Sequence, residues 1–449
     1  MSPRGTRAER ANGKKRAIWI AAGVVLLGGT GVTAVAAPAE GGDVGPGDGA
    51  QPAKAHVLAL DGKDPKKRAL PRTGTRTFSL VGVSWEDAGD TFEGIAQIRT
   101  REAATGEWSA WRDLDFGIRS PESTEGGTSD VRGASEPLWV GPSNGIEARI
   151  VADAEETAVP DALRLDMIDP GETPKGEGKS RNKRDGDTEK SAEKSYEADT
   201  VPATDPTGDP TVEPTGDPTV EPTSDPTGEP TTPAPTTPAP TTPTTPTAPA
   251  VVSRAAWGAD ESLVQDPPSY LNKLDAVFVH HTAGTNNYTC ADSPAIIRAI
   301  LTYHVRTNGW NDIGYNFFVD KCGTVFEGRA GGVDRPVLGA HTYGFNSYSA
   351  GISLLGDYEN GGTPTAAAKQ AIADLAAWKL GLHGVDPEAK VALTAAGDTG
   401  VWKKGQVVTL NAISGHRDGY ATLCPGATLY SALPGIRTAA GASPYATGN

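Results

Sequence analysis

Ala276-Val277-Phe278-Val279-His280-His281-Thr282 is a short apolar run that ends on two histidines and a threonine. Such a run reads as a strand. Downstream, Ser293-Pro294 offers an N-cap followed by proline at the first helical position, which predicts a helix to about Arg306. Tyr315 to Val319 and Gly351 to Leu355 read as further strands, and Thr363-Pro364 opens a helix whose Ile372, Leu375 and Ala376 share a face. Strand and helix signals alternate, so residues 251–440 read as a mixed α/β domain, a central sheet flanked by helices, with 441–449 as a tail.

The 449 residues exceed what one core usually supports, so further domains are expected upstream. Arg4, Arg7, Arg10, Lys14, Lys15 and Arg16 precede the apolar stretch Ala17 to Leu27, and Ala34-Val35-Ala36 gives the small-x-small pattern of a cleavage site. Residues 1–37 therefore read as a signal peptide, with an uncleaved membrane anchor through 17–37 as the alternative. The bulk of the chain lies outside the cytoplasm in either case, secreted and in one reading wall-associated. Residues 38–75 read as flexible. From 76 to 170 short apolar segments alternate with Gly, Asp and Pro; Ile146, Ala148 and Ile150 against Glu147 and Arg149 show the period of two that a half-buried strand requires. This is an all-β, sandwich-like module of open function, in which Trp108, Trp111 and Trp139 read as core, the rival being platforms for sugar stacking.

Residues 171–200 are charged and carry almost no large apolar side chain, which predicts disorder. From Thr204 to Pro249 a degenerate repeat, Asp205-Pro-Thr-Gly then Asp209-Pro-Thr-Val, continues the linker to residue 250. Proline at that density favours polyproline II at roughly 3.1 Å per residue, a spacer of up to about 140 Å. Lys plus Arg total 41 and Asp plus Glu 56; residues 251–449 hold 14 and 16 of them, so that domain is near neutral and the acidity lies upstream. No basic footprint for nucleic acid exists. Oligomeric state is not legible.

The three cysteines, Cys290, Cys322 and Cys424, all fall in the last domain, and an odd count in an exported chain asks for one pair and one special thiol. His280 at the strand end, His416 in Gly415-His416-Arg417-Asp418 and Cys424 in Leu423-Cys424-Pro425 are candidate metal ligands. Each also has an ordinary reading: strand-end histidine, turn histidine, buried thiol.

Ser253-Arg254-Ala255-Ala256-Trp257-Gly258-Ala259, Val279-His280-His281-Thr282-Ala283-Gly284, Gly309-Trp310-Asn311-Asp312-Ile313-Gly314-Tyr315-Asn316-Phe317, Glu327-Gly328-Arg329, Gly339-Ala340-His341-Thr342 and Gly415-His416-Arg417-Asp418 occur in one order along about 190 residues. In that order they resemble the peptidoglycan recognition proteins and the related phage lysozyme-type N-acetylmuramoyl-L-alanine amidases; with the leader and linker, the whole chain resembles exported actinobacterial members. The resemblance implies zinc held by His280, His416 and Cys424, with a fourth position for water whose pKa zinc would lower towards roughly 7. His281 points to the other face of its strand and reads as a structural neighbour. It further implies that Tyr315 steadies the oxyanion with Thr422 assisting, where phage enzymes carry lysine, and that His304, Gly309, Trp310, Arg329, His341 and Asn346 contact the muramyl peptide. Strand packing for Tyr315, a core histidine for His304 and turn residues for His341 and Asn346 are the plain alternatives.

Gly309-Trp310 and Arg329 match the pattern associated with diaminopimelate at the third stem position, Arg329 clasping its extra carboxylate. Pairing Cys290 with Cys322 would close a loop of about 33 residues, worth roughly 3 to 4 kcal/mol; animal members carry a more local disulfide, and two free thiols are the alternative. The implied activity is zinc-dependent hydrolysis of the amide between N-acetylmuramic acid and L-alanine in bacterial peptidoglycan, the implied alternative a non-catalytic recognition protein, in which the zinc cysteine is characteristically replaced.

Overall fold

The computed structural model describes residues 52–90, 94–116, 119, 121, 131–152, 159–172, 248–264 and 266–446. The leader at 1–37 and the linker from 173 to 247 lie outside the described residues.

The amino-terminal module consists of strands β1 (Lys54–Ala59), β2 (Lys67–Trp85), β3 (Gly94–Glu102), β4 (Arg112–Asp113), β5 (Gly133–Ala134), β6 (Leu138–Ala152) and β7 (Arg164–Asp169). They hydrogen-bond in the order β1-β7-β2-β6-β3-β4, with β5 on β2. Register shifts between Leu70 and Thr73 and between Gly74 and Phe78 bend the long β2–β6 pair. Ile146, Ala148 and Ile150 join Phe78, Val81 and Val83 in one core, while Glu147 between them faces outward to Arg72 and Arg99.

Residues 54–75 are not flexible: Leu58 and Leu70 enter the core, so the stretch forms β1 and the first half of β2. Trp139 is buried, but Trp108 and Trp111 are only half-buried. Their rings lie among the outward-facing arginines, Arg72 at 4.8 Å from the Trp108 centroid and Arg99 and Arg149 at 4.8 and 4.3 Å from that of Trp111.

The carboxyl-terminal domain is mixed α/β. It runs β8 (Val251–Val252), α1 (Arg254–Trp257), β9 (Ala276–His281), α2 (Ser293–Arg306), β10 (Phe317–Val319), β11 (Val325–Glu327), β12 (Ser349–Leu354), α3 (Ala366–Gly381), β13 (Lys390–Thr394), β14 (Val407–Asn411), β15 (Ile413–Gly415), α4 (His416–Gly419) and α5 (Ala427–Gly441). The main sheet has the order β15-β9-β12-β10-β11-β8, parallel except for β10–β11; β13 and β14 form a separate hairpin. α2 spans the segment that Ser293-Pro294 predicts, whereas α3 starts later than Thr363-Pro364 because the Thr365 hydroxyl takes the capping bond from Ala368 N.

Strand alternation divides the sheet into two faces. Val277, Val279, Phe317, Val319, Ile352 and Leu354 pack with α3 and α5 in one core. Phe318 and Phe326 face the other way, onto α2. His280 lies on the α2 side and His281 on the α3/α5 side, beside Tyr358.

Candidate metal centre and substrate groove

The register of β15 on β9 builds the centre. Gly415 stands opposite Val279 in a parallel pair, so the residues that follow each, His416 and His280, emerge side by side with ring centroids 4.4 Å apart. Asp418 accepts from Gly415 N at 2.9 Å, closing the α4 turn. The chain then returns so that Arg417 N bonds the Cys424 carbonyl at 3.0 Å. His280 Nδ1 thus faces Cys424 Sγ at 3.7 Å.

His280, His416 and Cys424 offer donor atoms that all lie within 4.8 Å of one another, and all three are buried. Donors around one tetrahedral zinc at 2.0–2.3 Å stand roughly 3.3–3.8 Å apart, so the set fits a metal ion. His416 Nδ1 is buried with no hydrogen-bond partner among the described residues. Burial, then His416, holds His280 well below the ordinary imidazole range; burial brings His416 down to about 3 and pushes the Cys424 thiol well up. Neutral imidazoles are ready donors, and a bound cation would offset the cost of a buried thiolate. His281 is spent elsewhere, its Nδ1 accepting from Tyr358 N at 3.2 Å.

Tyr315 lies against this cluster, its ring 5.1 Å from that of His280. Thr422 Oγ1 accepts from Cys424 N at 3.1 Å. His341 Nδ1 and His280 Nε2 are 3.2 Å apart, and Asn346 Oδ1 accepts from His341 N and Thr342 N, which fixes the turn that carries His341. Gly351 is required beside it: a Cβ there would come within 2.5 Å of the His341 ring.

His304, at the end of α2, accepts from Gly314 N through Nδ1 at 3.0 Å and packs against Trp310 with centroids 4.7 Å apart and the rings tilted by 44°. Burial, then Arg329, lowers it to about 3. His304, Trp310, Tyr315, His341, Asn346 and His416 line one pocket. Gly309 serves the backbone instead, at φ +75° just past α2. Arg329 does not line that pocket; its guanidinium bonds the Leu338 carbonyl at 3.1 Å and borders an adjoining cavity with Asp312 and Ser269. Cys290 and Cys322 are joined in a disulfide, and Cys424 is free.

Sequence reading missed the residues that the amino-terminal module brings here. The Tyr315 hydroxyl lies 3.4 Å from Glu136 Oε2 and that of Thr422 lies 3.3 Å from Asp115 Oδ2. Burial, then Asp115, pushes the Glu136 carboxyl up to about 8. Contacts across 179 and 307 positions of chain leave no local signature.

Residues 270–427 match the family described as N-acetylmuramoyl-L-alanine amidase, and residues 45–175 match one described as Rv3811 N-terminal galactose-binding domain-like. Peptidoglycan-recognition protein SC2 of Drosophila melanogaster is 33% identical over 183 residues, 41% of this chain and 84% of that protein. Peptidoglycan recognition protein 1 of Bos taurus is 32% identical over 189 residues, 41% of this chain and 82% of that protein. Among solved structures, wild-type Drosophila PGRP-LB aligns over 40% of this chain and 91% of its own at 27% identity and a TM-score of 0.32. With identity of this level across more than four-fifths of such relatives, the chain belongs to the peptidoglycan-recognition protein and type 2 amidase family.

Proposed function

We propose that the chain is a zinc-dependent N-acetylmuramoyl-L-alanine amidase acting on bacterial peptidoglycan. The observation that carries this reading is the convergence of His280, His416 and Cys424, with Tyr315 beside them. The names of the relatives supply the substrate class. Zinc, when bound, would supply Lewis-acid polarisation of the scissile carbonyl and activation of a water.

The residues of the chain do the rest. The Tyr315 hydroxyl, once released from Glu136, is the donor positioned for charge developing on the carbonyl oxygen. Thr422, held by Cys424 N, assists. His304, Trp310, His341 and Asn346 form the wall against which a stem peptide would lie. Export, through a leader at 1–37 that is either cleaved or kept as an anchor, is part of this reading; among the described residues, which exclude that leader, no helix is long and apolar enough to cross a membrane. Diaminopimelate is the third stem residue we favour, from Gly309-Trp310 and Arg329, with Arg329 acting from the adjoining cavity.

The experiment incubates the purified chain with soluble muramyl peptides, matched diaminopimelate and lysine forms, with zinc and with a chelator. Release of stem peptide that the chelator abolishes and Cys424→Ser lacks is expected, faster on the diaminopimelate form. Stem release at full rate in the metal-free chain would remove zinc from the reading, and no release with zinc present, in the wild type or in a chain with the groove opened, would remove the amidase activity. Equal rates on both forms, or a preference that survives Arg329→Ala, would remove Arg329 from substrate reading.

A further inference from the structure

The linker suggests two bodies held far apart, yet the residues on either side of it pack as one compact unit. The contact has two parts. Behind the site, Leu80, Trp139 and Ile168 of the module share a core with Ile296, Ile297, Ile300 and Tyr303 of α2. Tyr303 donates its hydroxyl to the Ser135 carbonyl at 3.1 Å, and Thr285 N bonds the Trp139 carbonyl at 2.9 Å. This part is apolar, hydrogen-bonded and extensive.

The second part lies over the groove. Val131 packs on Trp310 and Ala340. Arg119 and Pro121 line the same pocket as His304 and His341, and Arg119 Nε donates to the Tyr420 hydroxyl at 2.9 Å. Glu136 engages Tyr315 and Asp115 engages Thr422, so both proposed catalytic hydroxyls face a carboxyl of the module.

Size decides what this means. The free space left in the pocket is about 20 Å³. That is room for one water, whereas small-molecule sites offer roughly 300–1,000 Å³. Trp310 is 4% exposed and His341 8%. A larger cleft of about 660 Å³ runs beside the pocket, past Trp111, Asp115, Glu136, His281 and Tyr420, but His280, His416, Cys424, Trp310 and His341 do not line it. In this arrangement a stem peptide could meet Glu136 only from the larger cleft, which neither Tyr315 nor the His280, His416 and Cys424 cluster lines.

We propose that the amino-terminal module is an autoinhibitory cap: its residues Val131, Arg119 and Pro121 fill the groove, and Glu136 and Asp115 occupy Tyr315 and Thr422. Turnover waits on transient withdrawal of these residues, so the wild type hydrolyses slowly, while the core behind α2 keeps the module attached. The proposal rests on the amidase reading for its activity measurement only; occlusion is read independently.

Cys424 makes that independent reading possible, since the other two cysteines are disulfide-bonded and this thiol is buried, with Glu136 and Asp115 of the module among the charges near it. The test uses the full chain. In the metal-free form, reaction of Cys424 with an uncharged maleimide is timed for wild type, Val131→Asp and the isosteric Glu136→Gln, each checked for retained cooperative melting. In the zinc-loaded form, hydrolysis of a soluble muramyl peptide is timed for the same three. Labelling of wild type should be slow, and Val131→Asp should speed both labelling and hydrolysis by about tenfold or more, as expected when a local opening is made easier. Glu136→Gln should raise hydrolysis by a smaller factor. Wild type labelled as fast as the unfolded chain, or hydrolysing as fast as Val131→Asp, overturns the cap. Loss of hydrolysis in Glu136→Gln also overturns it, by making Glu136 a participant in the reaction. Accelerated labelling with no hydrolysis in any chain upholds the cap and removes the amidase reading instead.

Discussion

Tyr315 stands between the ring of His280 and the carboxyl of Glu136, so its single hydroxyl has two possible uses. If it donates to the developing oxyanion, Tyr315→Phe should lower kcat by roughly ten- to a thousandfold with KM nearly unchanged, the signature of a donor felt only in the transition state. Steady-state kinetics on a soluble muramyl peptide separates the two constants, and a change confined to KM would reassign the phenol to substrate binding. His304 gives a second prediction, about stability. Its Nδ1 accepts a backbone N–H and its pKa falls from 6.5 to about 3, so the fold holds it neutral. A depressed histidine contributes stability in full above 6.5 and loses it as pH falls towards about 3, at up to roughly 1.4 kcal/mol per pH unit for one proton. Between pH 7 and 5 the metal-free wild type should therefore lose melting temperature more steeply than His304→Gln; parallel slopes would show that His304 is not held neutral by the fold. The grouping of His280, His416 and Cys424 was legible through the family motifs in which they sit, since their spacing alone leaves each an ordinary reading. Arg329 was legible only as a residue type: its placement in an adjoining cavity depends on the Leu338 carbonyl, a tertiary partner that spacing does not encode.

At the scale of elements, α2 shows where periodicity is sufficient and where it stops. Its start was readable from Ser293-Pro294, and Ile297, Ile300, Leu301 and His304, at helical spacing, are all buried. Yet Arg298, Thr302 and Tyr303 are buried too, because the module covers what would be the solvent side. The polar members are accommodated individually: Arg298 donates to the carbonyls of Trp257 and Pro170, at 2.9 and 3.2 Å. A helix buried on both sides but patterned for one is the clue that a second body was needed, and it is faint, since buried arginine and threonine look like surface in a sequence. The same limit applied to residues 54–75, whose scattered Leu58 and Leu70 carry too little pattern to reveal β1 and the start of β2. The disulfide ties the turn before α2 to the turn between β10 and β11, across 32 positions. Closing a loop of that length should stabilise the fold by roughly 3 to 4 kcal/mol in the chain-entropy account. Urea titration with and without reductant should show a loss of that order, reproduced by Cys290→Ala/Cys322→Ala. An unchanged midpoint would mean that the neighbouring bond from Ser293 Oγ to Asp320 already fixes this corner.

Across the whole molecule, composition divides the chain into a near-neutral domain and an acidic arm, and a long Pro-rich stretch between folded parts reads as a means of keeping them separate. Packing says otherwise, since the module and the α/β domain share a continuous apolar core at α2. Domains joined by small polar interfaces move and melt independently, whereas a large apolar interface couples them. Gly82 in β2 marks how close the coupling is: a Cβ there would fall 2.1 Å from the Tyr303 hydroxyl oxygen, so a larger residue must displace the tyrosine that bonds the Ser135 carbonyl. Gly82→Val strikes Tyr303 in the shared core at α2 and is directed at neither the core within the module nor the one under α3 and α5. Overpacking of this kind costs about 1–3 kcal/mol, enough to shift a transition by several degrees in a domain of this size. Wild type should therefore unfold in one calorimetric transition, coincident by near- and far-ultraviolet circular dichroism. Gly82→Val should split it into two, the component assigned to the module moving to lower temperature. Two separate transitions already in wild type would mean that the shared core does not couple the parts, and a single unshifted transition in Gly82→Val would mean that Tyr303 is not the joint. Because the α2 contact lies behind the groove and Val131, Glu136 and Asp115 lie over it, Gly82→Val also bears on access to Cys424: a loosened joint should expose the thiol, whereas Val131→Asp should expose it with the single transition preserved.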